Sequence, residues 1–294
     1  MSNSRRIKIG KWSLYLSIWP SFIYPLFRVD GEKWIKEYGC HKGEVFWLDD
    51  EYLVYSSEEA LYWSGAWFNK SEILNRLHGK YREIADRFLK MYGHVGLSIS
   101  RCDDHLVFIA IFLSRRTSWE INTIRWCKAI FSVTDDPFKL AELKPFNVAR
   151  SYQLKQLYTA YGEYLERIHG RSFKPEVLRR ELMKIPYVGP KTADAYLLFT
   201  GGDVSAVPVD VHLIKMVKRL NLAENFTLPS KSKCITYECS SCPLADRCIR
   251  NILSGEFGEL AGWIQTVIYI HDSLYCSKYK CQLCTLSKYC KSLL

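Results

Sequence analysis

The chain has 294 residues, of which 48% are hydrophobic and 14% are aromatic. A composition this apolar excludes a disordered chain and allows one large or two ordinary folded domains. Lysine and arginine number 41 against 31 acidic residues, so the net charge is +10 and the pI is near 9.0. A basic protein favours a polyanionic partner; nucleic acid is the first choice, and an anionic membrane surface stays open.

The amino-terminal run WSLYLSIWPSFIYPLF is the most hydrophobic stretch near the start of the chain. Pro20 and Pro25 interrupt it, and it is shorter than the roughly 20 residues that a membrane span needs. No transmembrane segment is therefore expected. No secretory leader pattern opens the chain, which predicts a cytoplasmic, nucleoid-associated protein, or a nuclear one in a eukaryote.

Residues 5 to 68 contain short aromatic and β-branched runs, SLYLSIW, PLFRV, GEVFWLDD, EYLVYSS and ALYWSGAW. These runs favour an antiparallel sheet, which we assign to an amino-terminal domain of residues 1–70. From residue 71 the apolar period becomes helical, so residues 71–222 are predicted to form a helical domain. Residues 223–294 form a carboxy-terminal segment. The fold class is mainly α with one sheet.

The run LVFIAIFL is hydrophobic on all sides and predicts a fully buried central helix. Its end, Ser114-Arg115-Arg116-Thr117, places two arginines where a core helix meets the surface. Arg115 and Arg116 are candidate contacts to DNA phosphates or bases, and a solvated helix end is the alternative.

A helical hairpin is predicted over residues 177–199. IPYVGPKTADAYLLF places Val188 and Gly189 in the turn and Pro190 at the first helical position, where a missing N–H costs nothing. The free amides of such a turn suit a DNA phosphate, and a purely structural hairpin is the alternative. Lys191 opposes the dipole of the second helix, so its position is locally unfavourable unless the site uses its amine.

Nineteen residues after Lys191, the segment AVPVDVHLIKMVKRL places Asp210 before another amphipathic helix. The halves IPYVGPKTA and PVDVH together resemble the helix-hairpin-helix (HhH-GPD) DNA glycosylase superfamily, in which L-P-x-V-G-x-K-T-A is followed by V-D-x-H. The resemblance implies an HhH-GPD helical bundle. A lysine at the position of Lys191 is the mark of the bifunctional glycosylase/lyases.

The chemistry of such an enzyme gives both groups a role. Breaking an N-glycosidic bond builds positive charge on the sugar, which the Asp210 carboxylate can stabilise. The Lys191 amine can displace the base and form a Schiff base, provided that it is neutral. A helix N-terminus and nearby positive charge both favour the neutral amine. The alternatives are that Asp210 is only an N-cap and Lys191 only a phosphate contact.

ELAGWIQTVIYIHDSLY is similar to the carboxy-terminal helix of eukaryotic-type 8-oxoguanine DNA glycosylases, and we place this base-reading helix at residues 258–275. The resemblance implies that Gln265 bonds the flipped base and that Tyr269, one helical turn later, stacks on it. His212 matches a family histidine that contacts the backbone beside the lesion. A buried core helix and a satisfied histidine are the alternative interpretations.

Three positions depart from the 8-oxoguanine pattern. The glycine whose carbonyl reads the oxidised purine aligns with Tyr24, the cysteine one turn after the lysine is Ala195, and the gap-filling asparagine aligns with Arg115. These departures affect the identity of the lesion and leave the chemistry of the lysine and the aspartate intact. Oxidised purine is the first prediction and oxidised pyrimidine the second.

Eight of the eleven cysteines form two quartets with the ending C-x2-C-x5-C. The first quartet is Cys234, Cys239, Cys242 and Cys248, and the second is Cys276, Cys281, Cys284 and Cys290. Paired quartets in a chain of this predicted compartment argue for metal over disulfides. Cys40, Cys102 and Cys127 are isolated and are predicted to be buried small hydrophobes.

The second quartet resembles the [4Fe-4S] loop of endonuclease III, in which basic residues touch DNA phosphates; Lys278 and Lys280 match them. Two [4Fe-4S] clusters are the prediction. Zinc at the first quartet and interleaved ligands are the alternatives. The partner is double-stranded DNA with a damaged base, no membrane is involved, and we expect a monomer. A non-catalytic, metal-stapled DNA-binding module is the alternative from another class.

Overall fold

The amino-terminal part of the chain forms one sheet in the computed structural model, which describes residues 4–144 and 148–290. Its strands are β1 (Arg5–Lys8), β2 (Phe27–Asp30), β3 (Lys33–Lys36), β4 (Val45–Asp49) and β5 (Tyr52–Tyr55). They lie in the order β1-β5-β4-β3-β2, and every neighbouring pair is antiparallel. The strands predicted in PLFRV, GEVFWLDD and EYLVYSS are confirmed as β2, β4 and β5.

Two of the predicted strands are wrong, because both segments are helical. SLYLSIW forms α1 (Leu14–Ile18), whose first turn is capped by the Ser13 hydroxyl accepting from the Leu16 amide. ALYWSGAW contributes to α2 (Glu59–Ser64), which ends at Gly65 in the left-handed conformation with φ 72°. The strand preference of aromatic residues reflects packing on a pleated surface, and here the tertiary contacts favour helix instead.

The helical body covers most of the remaining described residues. Its helices are α3 (Lys70–Leu74), α4 (Gly79–Tyr92), α5 (Asp104–Leu113), α6 (Ile124–Phe131), α7 (Pro137–Glu142), α8 (Tyr152–Arg167), α9 (Pro175–Lys184), α10 (Pro190–Phe199), α11 (Val211–Arg219), α12 (Lys231–Thr236), α13 (Ile249–Phe257) and α14 (Ala261–Leu274). A short π-helical segment, Trp119–Thr123, precedes α6. Within the described ranges, every helix is too short or too polar to cross a lipid bilayer.

Helix α5 is the centre of this body, as its sequence predicts. Every residue from His105 to Leu113 is buried. Helices α6, α8 and α10 all pack against it. Its carboxyl end therefore meets the hairpin formed by α9 and α10, and its amino end lies beside the sheet.

A buried ion pair joins the sheet to the amino end of α5. The Nζ atom of Lys36 lies 2.8 Å from Oδ2 of Asp103, and both side chains are inaccessible to solvent. Asp103 also accepts from the amide of Cys40 at 2.8 Å and from the hydroxyl of Ser100 at 2.6 Å. The carboxylate thus connects two segments that are distant in sequence, residues 36–40 and residues 100–103.

Cys40 and Cys102 correct the prediction of buried lone thiols. They form a disulfide that closes a 62-residue separation; Cys40 is half-buried and Cys102 is exposed. Sequence spacing gave no reason to pair them, because only the docking of the sheet on α5 brings them together. Cys127 is fully buried, as predicted.

We expect Asp103→Asn to lower the free energy of unfolding by about 3–5 kcal/mol, because it leaves the Lys36 ammonium buried without its counter-charge. Urea denaturation followed by tryptophan fluorescence measures the change. The matched control is Asp49→Asn, which removes an exposed pair with Arg6 at 2.7 Å in the same sheet and should cost less than about 1 kcal/mol. Equal costs for the two variants would contradict the assignment.

Candidate active site

The turn between α9 and α10 presents an open backbone at Gly189. Tyr187 takes the left-handed conformation with φ 65°, while Gly189 has φ −116° and ψ 179°, which any residue adopts. A Cβ added at Gly189 would meet no atom within 4 Å. The sequence allows Gly189 two roles, the turn conformation or a close approach to the backbone, and these ordinary dihedral angles leave the second. The space over this residue leaves room for a molecule to approach the backbone from outside.

Val188 lies in the turn, as predicted, but its backbone amide is not open to a phosphate. Its side chain is fully buried, and its amide donates to the carbonyl of Ile185 at 3.2 Å. Val188 therefore cannot offer that amide to a phosphate. The unpaired amides at this end belong to the first turn of α10, where an α-helix leaves its first N–H groups without partners.

Arg115 holds the hairpin to the end of α5. Its guanidinium donates to the carbonyls of Phe112 and Tyr187, both at 2.8 Å, and to Oε1 of Gln156 at 2.9 Å. Burial lowers the pKa of Arg115 to about 10, and Arg116 contributes to the same shift. Arg115 is thus engaged within the protein, whereas Arg116 is exposed.

The Lys191 amine lies between the hairpin, α5 and the amino-terminal segment. Its Nζ atom is 3.5 Å from the Ser114 hydroxyl and 5.3 Å from the centre of the Phe22 ring. Burial lowers the pKa of Lys191 below that of an ordinary lysine; Asp210 opposes this shift, and Arg115 reinforces it. The environment therefore favours the neutral, nucleophilic amine.

Asp210 is both an N-cap and a member of the site. Its Oδ1 atom accepts from the amide of Leu213 at 2.8 Å, which caps α11. Its Oδ2 atom accepts from Nε2 of Gln265 at 3.3 Å. Because the cap uses one oxygen only, the other faces the residues of α14.

Gln265 and Tyr269 lie on one face of α14, next to Asp210. Gln265 is 6% exposed. The ring of Tyr269 lies 5.6 Å from that of Trp19 and 4.8 Å from that of His212. Burial raises the pKa of Tyr269 to about 12, and Glu120 and Asp210 add to the rise.

His212 is held by a buried carboxylate. Its Nδ1 atom lies 2.6 Å from Oδ2 of Asp272 on α14, and Arg219 bonds the other oxygen at 3.1 Å. Asp272 is fully buried; burial acts to raise its pKa, but the bonds from His212 and Ser277 outweigh it and hold the pKa below its usual value. The imidazole is therefore fixed in orientation against Tyr269.

A glycine allows α14 to approach the hairpin closely. The amide of Gly262 donates to the carbonyl of Val204 at 3.0 Å. A Cβ at Gly262 would lie 2.6 Å from that carbonyl oxygen and would also clash with Leu198. The glycine of the AGWIQ segment thus sets the distance between α14 and α10.

Sequence analysis missed Trp19, Phe22 and Glu120. Trp19 and Phe22 come from the run that was interpreted as a strand; in a helical reading Tyr15 and Trp19 are one turn apart and stack at 6.0 Å. Glu120 is exposed, and its charge reaches Tyr24 as well as Tyr269, helping to raise the pKa of Tyr24 after burial. No spacing in the sequence indicates Glu120.

The positions that depart from the 8-oxoguanine pattern have distinct surroundings. Tyr24 is half-buried, and its ring lies edge-on to that of Trp34 at 6.1 Å. Ala195 is fully buried within α10. The carbonyl of Tyr24 accepts from the amide of Phe27, and Ala195 has no thiol.

The first cysteine quartet gathers beneath the hairpin. Cys234 lies on α12, and Cys248 precedes α13. Burial raises the pKa of Cys248, and the thiols of Cys234 and Cys239 raise it further. The thiol of Cys239 lies 3.4 Å from Nη1 of Arg250.

The second quartet follows α14 in the chain, and its cysteines act on one another electrostatically. Burial raises the pKa of Cys276 to about 11, and the thiols of Cys290 and Cys284 contribute. Cys284 lies 3.3 Å from Nε2 of His271 on α14. Each quartet therefore also contacts a helix of the body: Cys239 contacts α13, and Cys284 contacts α14.

Lys278 and Lys280 lie on the exposed loop of the second quartet. Tyr279 between them takes the left-handed conformation with φ 54° and is 90% exposed. This loop offers two charges and one aromatic ring to a partner.

No protein-family model matches the chain. The N-glycosylase/DNA lyase OGG1 of Arabidopsis thaliana is 32% identical over 91 residues, which are 31% of this chain. The matched segment spans about a fifth, 22%, of the length of that curated relative.

Solved structures share the fold over nearly the whole chain. MBOgg1, solved in complex with a low-affinity DNA ligand, has a TM-score of 0.68 at 15% identity and covers 93% of this chain and 96% of its own. The 8-oxoguanine glycosylase/lyase of Clostridium acetobutylicum, solved with double-stranded DNA that contains cytosine opposite 8-oxoG, has a TM-score of 0.66 at 17% identity, with coverages of 90% and 92%. The 3-methyladenine DNA glycosylase of Archaeoglobus fulgidus scores 0.63 at 13% identity, with coverages of 92% and 99%. The chain thus has the fold of the HhH-GPD glycosylases, as its motifs predict.

The charges around Lys191 predict opposite shifts in two variants. Asp210→Asn removes the group that favours the ammonium, so the pKa of Lys191 should fall further. Arg115→Met removes a nearby cation, so the pKa should rise. Titration of the Lys191 side-chain NMR signal measures both shifts, and a rise in Asp210→Asn would contradict the placement of these charges.

Proposed function

We propose that this protein is a bifunctional DNA glycosylase/AP lyase that removes 8-oxoguanine from double-stranded DNA. The observation that carries the proposal is the Lys191 amine, whose pKa is lowered by burial at the start of α10, within reach of the charge of Asp210. The names of the Arabidopsis and Clostridium proteins state this chemistry for those proteins.

The basic surface and the hairpin give DNA a place to bind. The amides at the start of α10 and the open backbone of Gly189 suit a phosphate. Lys278 and Lys280 lie on a second exposed loop that can contact the backbone. Arg116 is free to reach the DNA, while Arg115 fixes the hairpin turn.

A flipped base would be held by Gln265, Tyr269 and Trp19. In the free protein Gln265 bonds Asp210, and Tyr269 lies between Trp19 and His212. A flipped base must therefore take the amide of Gln265 away from Asp210 and insert beside the Tyr269 ring. The amide then bonds the edge of the base, and the ring stacks on its face.

The bond changes follow from the positions of Lys191 and Asp210. The lone pair of the neutral amine attacks C1′ as the bond from C1′ to the base breaks, and the departing base takes up a proton. Asp210 stabilises the positive charge that develops on the sugar. The attacking amine gives one proton to the departing base. The C1′–O4′ bond then breaks, O4′ takes a proton from solvent, and a protonated Schiff base forms; loss of a C2′ proton then expels the 3′ phosphate and cleaves the strand.

The substrate class rests on Gln265 and Tyr269, which match the base-reading pair of the 8-oxoguanine enzymes. Tyr24 replaces the glycine that reads the oxidised purine in those enzymes, and its carbonyl already accepts from the amide of Phe27, so we infer that another group recognises the lesion. Oxidised pyrimidine is the alternative substrate, and the carboxy-terminal cysteines that resemble those of endonuclease III favour it.

We further propose that each cysteine quartet holds a [4Fe-4S] cluster. The donor set of four cysteines fits such a cluster. The clusters would hold loops that have little core of their own.

Borohydride trapping tests the nucleophile. Wild-type protein incubated with a duplex that contains 8-oxoguanine opposite cytosine should give a covalent adduct. Lys191→Gln should lose it by about a thousandfold or more, as expected when a nucleophile is removed. Denaturing gels measure the adduct, and its survival in Lys191→Gln would refute the assignment.

Two matched variants separate chemistry from binding. Asp210→Asn keeps an N-cap, since asparagine caps as well as aspartate, and should slow base release by about 10²–10³. Gly189→Ala should weaken DNA binding but leave the adduct yield at saturating DNA unchanged.

A panel of duplexes with single oxidised purines or pyrimidines identifies the substrate class.

Metal analysis tests the clusters. Anaerobically purified protein should contain roughly eight irons and eight acid-labile sulfides per chain, with absorbance near 400 nm. Cys239→Ser and Cys281→Ser should each lose about half of the iron. Zinc without sulfide would reject the cluster assignment.

A further inference from the structure

The helix that carries Lys191 is tied to the first cysteine quartet by buried charges. Asp194 lies three residues after Lys191 on α10, and its carboxylate is inaccessible to solvent. Arg179 of α9 donates to both of its oxygens, from Nε at 2.7 Å and from Nη2 at 2.9 Å. Arg250 of α13 adds a third bond from Nε at 3.2 Å.

The two arginines continue from Asp194 to the cysteines. Nη1 of Arg250 lies 3.4 Å from the sulfur of Cys239. Burial acts to lower the pKa of Arg179, but Asp194 outweighs it, and the nearby Cys234 adds to the rise. The guanidinium groups therefore lie between one carboxylate and two sulfurs of the first quartet.

The buried part of this network carries more positive than negative charge, and Asp203 offsets the surplus only through a longer, partly exposed contact. Arginine keeps its charge in proteins, so two positive charges face the single carboxylate of Asp194. The side chains of Arg179 and Arg250 are 6% and 10% exposed, and a buried charge without a counter-charge is costly. Asp203, the other nearby carboxylate, is 3.9 Å from Nη2 of Arg250 and partly exposed.

The first quartet can supply the missing negative charge. A thiol is neutral, whereas a cysteine bound to metal is a thiolate. Four thiolates on one zinc ion or on one iron-sulfur cluster leave net negative charge at the site. Donation of N–H groups to ligand sulfur is also a common way in which surrounding residues stabilise such sites.

We propose that the negative charge of the metal-loaded first quartet completes the network of Arg179, Asp194 and Arg250, and that this network holds α10 and Lys191 in position. The arginines act as positioning residues that couple metal occupancy to the order of the hairpin. The proposal rests on metal binding by the first quartet and holds for zinc as well as for a cluster. It does not require that the protein excise any base.

A double-mutant cycle tests the coupling. The variants are Cys239→Ser, Arg250→Gln and their combination, and the measurement is hydrogen exchange of the amides in residues 190–199. Cys239→Ser should raise their exchange at least tenfold, because it leaves the surplus arginine charge uncompensated. In the Arg250→Gln background the same cysteine change should raise exchange less than threefold, since one arginine and one aspartate then balance.

The matched control is Cys281→Ser in the second quartet, which has no contact with Asp194 and is exposed. It should lose metal from its own quartet and leave exchange of residues 190–199 within twofold of wild type. Equal effects of Cys239→Ser and Cys281→Ser, or an effect of Cys239→Ser that persists in the Arg250→Gln background, would overturn the proposal.

Metal retention provides a second measurement if Cys239→Ser does not fold. Coupling is reciprocal, so Arg250→Gln should weaken metal retention by the first quartet about 10–100-fold against a chelator, as for other residues that contact ligands. Arg250→Lys, which keeps the charge, should retain most of it. Unchanged metal retention in Arg250→Gln would refute the coupling, even if base excision is confirmed. A protein that does not excise bases but loses metal in Arg250→Gln would still support the coupling.

Discussion

The enclosure of α5 is the constraint on which the rest of the structure depends. A helix with apolar side chains on every face must be covered on every face, and α6, α8 and α10 provide that cover. The carboxyl end of α5 then delivers Ser114 to the Lys191 amine and Arg115 to the hairpin turn. At its amino end, Asp103 receives Lys36 of the sheet. One hydrophobic segment thereby determines where the sheet and the hairpin lie.

The position of Lys191 shows how stability is exchanged for reactivity. The start of a helix, the neighbouring Arg115 and burial all disfavour an ammonium group. The charge of Asp210 opposes them. A lysine in an exposed helix would retain its proton and be a poor nucleophile. The large core around α5 and α10 supplies the stability that a locally unfavourable residue requires.

The carboxy-terminal segment supports both walls of the site. Beneath the hairpin, Arg250 connects Cys239 to Asp194 on α10. Behind the base-reading helix, Cys284 contacts His271, and Asp272 on the next position holds His212. The two quartets therefore do not form a separate module. The first quartet reaches α10 through Arg250, and the second contacts α14 directly.

The sequence by itself determined the helical class, the buried α5, the hairpin with Lys191, and Asp210 at the start of α11, because helical periodicity and turn residues are local properties. It also placed Gln265 and Tyr269 on one helix face. Only the tertiary structure decided that SLYLSIW is a helix and that Cys40 pairs with Cys102. It also decided that Trp19 lies beside Tyr269, that the charge of Glu120 acts on Tyr269, and that Arg115 holds the hairpin turn to the end of α5. These features depend on contacts between segments far apart in the chain, and neither residue spacing nor propensity contains that information, since packing overrides local preference wherever the two differ.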